Sequence, residues 1–247
     1  MNKQTFNWWV RKSHRYLGVV LGIQFVLWTV SGVFFAWTNI DKIHGDHLRK
    51  PAGPIRTAEE MVSPSEIRKS VHAIDSRAGL TSFRIVNVLE KPYYEVNYRD
   101  AGKKPQTLLF DAVTGQRRKR FERTEAEKIA IDAQAKPQEV KETLYLTSEN
   151  VGSHHEYREQ PLPAWAVTFE KPESHTVYVA ADNGQVIRFR TNNWRIFDFL
   201  WMLHTMDFVG RDNINNWALR VFSGLGTLML ASGFLYFFVT FRKPWGN

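Results

Sequence analysis

Residues 16–37 read YLGVVLGIQFVLWTVSGVFFAW, an apolar and aromatic run without a single charge. As a helix rising about 1.5 Å per residue it is long enough to cross roughly 30 Å of hydrocarbon. A second run, WALRVFSGLGTLMLASGFLYFFVTF, fills residues 217–241, and its one cation, Arg220, stands near an end where a long side chain reaches the interface. Two membrane helices with a soluble region between them is the architecture this predicts. A cleaved signal peptide competes for the first run, but the run is too long, is aromatic throughout and lacks a small-x-small cleavage site.

The charges orient the two helices. All 25 acidic residues lie between Asp41 and Asp212, whereas seven of the 33 Lys and Arg residues (Lys3, Arg11, Lys12, Arg15, Arg220, Arg242, Lys243) lie outside that stretch. The net charge of +8 and pI of 9.7 therefore come mostly from cations that flank apolar runs, which argues against nucleic acid as a partner. Basic residues before the first helix and after the second put both ends in the cytoplasm and the middle outside. With no cysteine, disulfides, thiolate metal sites and covalent haem attachment are excluded.

On a wheel of 100° per residue, His14, Gly18, Gly22, Phe25, Thr29, Gly32 and Ala36 form one stripe on the first helix, and Ser223, Thr227 and Ala231 offer a matching face on the second. A close helix contact accounts for these small residues better than a cofactor groove, and the same faces would allow a homodimer.

Between the helices a pattern occurs twice. After a Pro and Gly linker (Pro51, Gly53, Pro54), SPSEIRKSVHAID at 63–75 has Ser63 as N-cap and Pro64 at the first helical position. FRIVNV, YYEVNY and TLLFD follow as an antiparallel meander broken at Lys91-Pro92 and at 100–105. TEAEKIAIDAQA at 124–135, with a capping box from Thr124 to Glu127, then opens a second copy that continues through ETLYLT, AWAVTFE and HTVYVAA. LLFDAVTGQ at 108–116 matches VYVAADNGQ at 177–185, so a helix-on-sheet unit repeats after about 70 residues.

With His14-Arg15-Tyr16-Leu17-Gly18 opening the first helix, DAVTG and ADNGQ closing the two copies, and Leu203-His204-Thr205 ahead of the last helix, the chain resembles the PepSY-associated membrane protein family. The resemblance implies an α+β membrane protein of the bacterial inner membrane, with two transmembrane helices flanking a duplicated PepSY-like helix-on-antiparallel-sheet domain in the periplasm. Its parts would be a cytoplasmic tail (1–15), the first helix (16–38), a linker (39–60), two PepSY-like units (61–121 and 122–191), an interfacial amphipathic helix (192–213), the second helix (214–241) and a second tail (242–247). Relatives with more helices include haem-bearing ferric-siderophore reductases, and smaller ones are anchored modules. This chain has two helices rather than four and no histidine in the second, which leaves it without a self-contained electron path.

The resemblance points to a b-type haem at His14, with Arg15 to pair a propionate, although an interfacial histidine is the plainer account. His204 lies in WRIFDFLWMLHTMDFVG (194–210), too short to span and read as a helix lying in the outer interface. There Asp207 could orient the imidazole from three residues away. The two histidines would stand about 30 Å apart, too far to hold one iron. His44 and His47 are the candidate partners of His204, and a second chain that of His14. His154-His155-Glu156 with His175 resembles a loose metal site, although a solvated loop explains the adjacent pair as well. Arg117-Arg118-Lys119-Arg120 would meet an acidic partner or lipid headgroups, or more plainly would guard a strand edge. Phosphate loops, nucleophile elbows, HExxH and GxGxxG are absent from the sequence, which argues against a hydrolase, a kinase or a self-sufficient reductase. The leading expectation is an accessory or haem-based electron-transfer subunit of an iron or siderophore system, part of a membrane oxidoreductase if enzymatic. The alternative is a cofactor-free anchored module that binds a periplasmic protein or peptide or regulates a protease.

Overall fold

The computed structural model describes residues 3–51, 53–54 and 60–241. The cations Arg242 and Lys243 and the tail at 242–247 lie outside the described residues. The chain divides into two compact units, Met1–Asn39 with Ile196–Asn247, and Ile40–Arg195.

The first unit is helical. α1 runs from Lys3 to Trp37 and α6 from Trp217 to Phe241, each long and apolar enough to cross a membrane over Trp8–Trp37 and Trp217–Phe238. Only 17% and 6% of their apolar windows are buried by protein, so neither is the core helix of a soluble globule. The helices pack with opposite polarity, a Cβ on Gly226 meeting Phe25, one on Gly18 meeting Met229, and one on Gly233 meeting His14. The covered side of α1 runs through His14, Gly18, Leu21, Gln24, Trp28, Ser31 and Phe35, a repeat of 3.5 rather than 3.6 residues, as left-handed coiling of packed helices requires. The stripe expected from the wheel therefore drifts off the contact, and Thr29 and Ala36 are exposed. So are Ser223, Thr227 and Ala231, and Gly226, Met229, Ser232 and Gly233 take the place expected of them.

α5, Asn192–Thr205, is shorter than the interfacial helix expected over 192–213. Its part in the first unit lies along the C-terminal half of α1 with reversed direction: Phe197 and Trp201 meet Phe35, His204 meets Ser31 and Trp28, and Leu203 meets Gln24. It is thus a half-helix beside α1. Such an end, with no following turn to use its carbonyls, needs donors from elsewhere. Gln24 Nε2 donates to the Leu203 carbonyl at 3.2 Å, Trp28 Nε1 to that of His204 at 2.8 Å, and Asn216 Nδ2 to that of Thr205 at 2.8 Å.

The second unit holds the duplication. α3 (Pro64–Ile74) starts at its expected Ser63 cap, and β1 (Gly79–Val88), β2 (Lys91–Arg99) and β3 (Pro105–Asp111) form an antiparallel sheet in that order. Pro92 sits inside β2 opposite Asn87 rather than breaking the chain; the turn is at Leu89 and Glu90, both with positive φ. α4 (Arg123–Asp132) is capped two residues earlier than expected: Glu122 and Glu125 make the capping box, while Glu127 accepts from Thr143 Oγ1 at 2.7 Å. The second sheet has four strands, β4 (Val140–Leu146), β5 (Ala164–Phe169), β6 (His175–Ala180) and β7 (Val186–Thr191), so this copy carries one strand more than the meander expected.

α3 buries Ile67 and Val71 on one face of the first sheet, against Tyr94, Val96, Leu108 and Phe110. Val88, Tyr93 and Leu109, on the other face, join Ile129 of α4 and Val167, Val177 and Phe189 of the second sheet in a core shared by both copies. This two-sided burial explains why consecutive residues of β2 are buried instead of alternate ones, and β6 is buried likewise because Tyr178 packs with Tyr157 and Leu146 on its other face. Glu95, 1% exposed, faces the second copy, where Asn183 Nδ2 and Gln185 Nε2 donate to its Oε2 at 3.0 and 2.9 Å.

Candidate functional site

Each histidine of the helical unit meets a serine on a different helix. His14 Nδ1 lies 2.8 Å from Ser232 Oγ, with its ring stacked parallel to Tyr236 at 5.9 Å. His204 Nδ1 lies 2.7 Å from Ser31 Oγ, and its ring sits among Trp28, Phe35 and Trp201. Each serine is also one turn from a carbonyl it can use: Ser232 Oγ is 2.7 Å from the Met229 oxygen, and Ser31 Oγ is 2.7 Å from that of Leu27. A hydroxyl has one proton. With that proton on the backbone carbonyl, Oγ is an acceptor, the facing Nδ1 carries hydrogen, and Nε2 is left as an unprotonated lone pair.

That tautomer is the one a metal or haem iron takes, held by a hydrogen bond on the far nitrogen. The donor chemistry of both residues thus fits an axial ligand. Ser31 stands roughly 17 residues beyond His14 on α1, about 25 Å of helical rise, so the two imidazoles belong to separate positions. The helical unit contains no third histidine, so a second imidazole for either position would come from outside it. Arg15 is exposed, one residue past His14.

Asp207 does not orient His204. α5 ends at Thr205 and Met206 takes a φ of 55°, which turns Asp207 off the helix. Its carboxylate instead gathers the backbone N–H groups of Gly210 at 3.1 Å and Asn213 at 2.8 Å, shaping the loop that leads to α6. Arg211 pairs with Asp198 across the same loop.

In the other unit, His44 ends α2 (Ile40–His44) and is exposed, and His47, in a short 3-10 turn, holds Glu173 through Nε2 at 3.0 Å. His154, His155 and His175 do not converge: among the described residues, no three of His, Asp and Glu form a group able to hold a metal ion. His175 is fully buried between Phe169 and Phe189, with Nδ1 on the Glu173 carbonyl and Nε2 beside Gln134, and burial pushes its pKa down. His155 Nδ1 accepts from the Tyr157 amide, and His154 is exposed. Glu156 is taken by Arg195, whose guanidinium forks onto both carboxylate oxygens at 2.7 and 2.9 Å, and by the Tyr178 hydroxyl. Burial beside that carboxylate drives the Tyr178 phenol up, and burial near Arg188 lowers Arg190 to about 10.

Ser31, Ser232, Gln24 and Trp28 carry much of this arrangement, and sequence reasoning missed them. The available signal was Gln24, an amide in the middle of an apolar span, which lipid makes expensive unless a partner is present.

No curated protein and no solved structure matches the chain. The model of one family, described as the PepSY-associated TM region, matches residues 11–246, and the chain belongs to that family of membrane proteins.

Proposed function

We propose that this protein is a haem-carrying accessory or electron-transfer subunit of a bacterial inner-membrane system that handles ferric siderophores, with His14 and His204 as the side chains that would hold the haem. The observation that carries this is the paired serine support, which fits Nε2 lone pairs at two positions about 25 Å apart along α1. Haem at such positions supplies one-electron redox chemistry. The chain's own residues contribute the rest: Ser31 and Ser232 fix the tautomers, aromatic rings exclude water from His204, and Arg15 offers a propionate partner. Arg11, Lys12 and Arg15 before the span favour a cytoplasmic N-terminus, which puts the Ile40–Arg195 unit in the periplasm.

The test is an absorption spectrum of detergent-purified protein from haem-replete cells. We expect a Soret band with reduced α and β bands, diminished in His14→Ala and in His204→Ala and absent in the double variant. A colourless wild type sinks the proposal, and an alkaline phosphatase fusion at residue 120 that is made but inactive sinks the orientation.

A second reading, an anchored module that binds a periplasmic protein without any cofactor, is favoured by a different observation, the unequal strand count of the two copies.

A further inference from the structure

The repeats align without a gap through LLFDAVTGQ and VYVAADNGQ, sharing the Ala, Gly and Gln of the turn, which makes β3 the counterpart of β6. In the second copy the chain leaves this turn and lies down as β7 on the free edge of β6, pairing Val179 with Val186, Val177 with Phe189 and His175 with Thr191. In the first copy the same movement begins and stops. Phe110 pairs with Arg117 at the place equivalent to Val179 and Val186, and the Arg118 amide donates to the Leu109 carbonyl at 2.7 Å. The chain then departs: Arg120 turns to Asp182 and the Phe121 amide to the Ala181 carbonyl, both in the second copy. β3 is therefore an edge strand whose N-terminal half lacks the neighbour that the duplicate possesses.

The groups left open follow from alternation. The Leu109 carbonyl and the Asp111 amide bond away from β2, so odd positions of β3 face the free edge. Thr107 N–H and C=O thus point outward, without a backbone partner on that side among the described residues, whereas Leu109 is buried in the shared core. They border a cleft of about 640 Å3, whose other wall is Arg117 to Arg120. Within that wall Arg118 is paired with Glu125 and Arg120 with Asp182, but Arg117 and Lys119 are exposed and have no acidic partner among the described residues.

We infer that this edge takes an extended acidic segment of a partner protein as a fourth strand, in the position that β7 occupies on the second sheet. The backbone supplies the pairing, and two unpaired cations select carboxylates on the added strand. A docked segment of about four residues, standing for the part of β7 beyond the two positions that Arg117 and Arg118 already fill, would restore the equivalence of the two sheets. Basic residues can also simply repel other strands from an edge, but that role opposes cationic or neutral partners and leaves an acidic one favoured.

The inference is independent of haem. The probe is a fluorescent peptide of about eight alternating glutamate and valine residues, titrated onto the full chain in nanodiscs of neutral lipid. We expect saturable binding below ~1 mM that weakens with salt, slower hydrogen exchange at the Thr107 amide, and no binding of the lysine–valine peptide. Arg117→Glu with Lys119→Glu should weaken binding by about tenfold or more. Thr107→Pro, which removes one outward amide, should do the same, while Thr107→Val keeps binding and controls for loss of the side chain. The His14→Ala, His204→Ala double variant should bind as wild type, which separates this inference from the haem reading. Absence of binding, binding unaffected by the charge reversal, or binding without protection at Thr107 overturns it. So does a charge-dependent attraction to anionic vesicles in place of the peptide, which would assign the cations to a membrane surface.

Discussion

Gly115 and Gly184 hold the same place in the two copies, with φ of 70° and 69°, and they should respond differently to the same substitution. In either turn an alanine must adopt the left-handed conformation, at roughly 1 kcal/mol. Around Gly115 the added methyl meets Val62 at 3.4 Å and Ile67 at 3.8 Å, ordinary contact distances, so Gly115→Ala should cost about 1 kcal/mol in total. At Gly184 the methyl would stand 2.9 Å from both Phe121 Cε2 and Val88 Cγ1, closer than carbon atoms pack. Both neighbours belong to the shared core and cannot swing into solvent. Overpacking there adds about 1–3 kcal/mol, so Gly184→Ala should cost about 2–4 kcal/mol. The assay is native-state hydrogen exchange of the β6 amides in the full chain in detergent, with urea as the perturbant; at a slope near 2 kcal/mol per molar the two variants should separate by roughly 1 M in midpoint. Variants matching within about 0.5 kcal/mol would refute the claim that the second turn is packed into the interface of the copies.

Glu95→Ala should destabilise the same unit by about 2–4 kcal/mol, because it strips the buried Asn183 amide, the half-buried Gln185 amide and, within the first copy, Arg84 and Asn97 of their acceptor; a loss under about 1 kcal/mol by the same exchange measurement would show that the contact between copies does not depend on it. Trp28→Phe removes the donor to the His204 carbonyl and should cost α5 about 1–2 kcal/mol, seen as faster exchange at 201–205 with α6 unchanged. Asp111 carries a pH dependence: burial pushes its carboxyl up, but the Thr114 and Val113 amides outweigh that and hold it below the usual range. Its folded value is thus below its unfolded one, so its contribution is complete above about pH 4 and is lost as pH falls through the folded value. Asp111→Asn should flatten the stability curve of the first sheet over that interval, and an unchanged slope would contradict the assignment.

The elements that could be read from the sequence were those set by neighbours in the chain. The spans follow from uninterrupted apolar runs, and α3 follows from Ser63 and Pro64, a cap that few other placements satisfy. α4 shows the limit of local reading, since ERTE and TEAE are overlapping frames with an acid at the third helical position, and the packing of Ala126, Ile129 and Ala130 decides between them. β7 was hidden because a strand that completes a sheet after a turn looks like a linker until its partner is known. Asp207 was misplaced for a similar reason: an i, i+3 argument assumes that the helix continues, and a single positive φ at Met206 ends it.

The candidate site was less legible because each of its contacts joins distant parts of the chain. Residue 14 meets 232, residue 24 meets 203, and residue 31 meets 204, so no local window contains both halves of any pair. What the span does record is an excess of polarity: a glutamine, a threonine and a serine in a segment that lipid would otherwise keep apolar. The structure divides these three by task. Thr29 turns its hydroxyl back on its own helix at Phe25, Gln24 closes the end of α5, and Ser31 alone reaches an imidazole. With the Ser31 proton on the Leu27 carbonyl, the ring nitrogen that remains available is decided by a serine on another helix, not by the histidine's own neighbours, and Ser31→Ala tests the site more selectively than removal of His204 itself. The ring stays, its aromatic surroundings stay, and only the reason for its tautomer is gone.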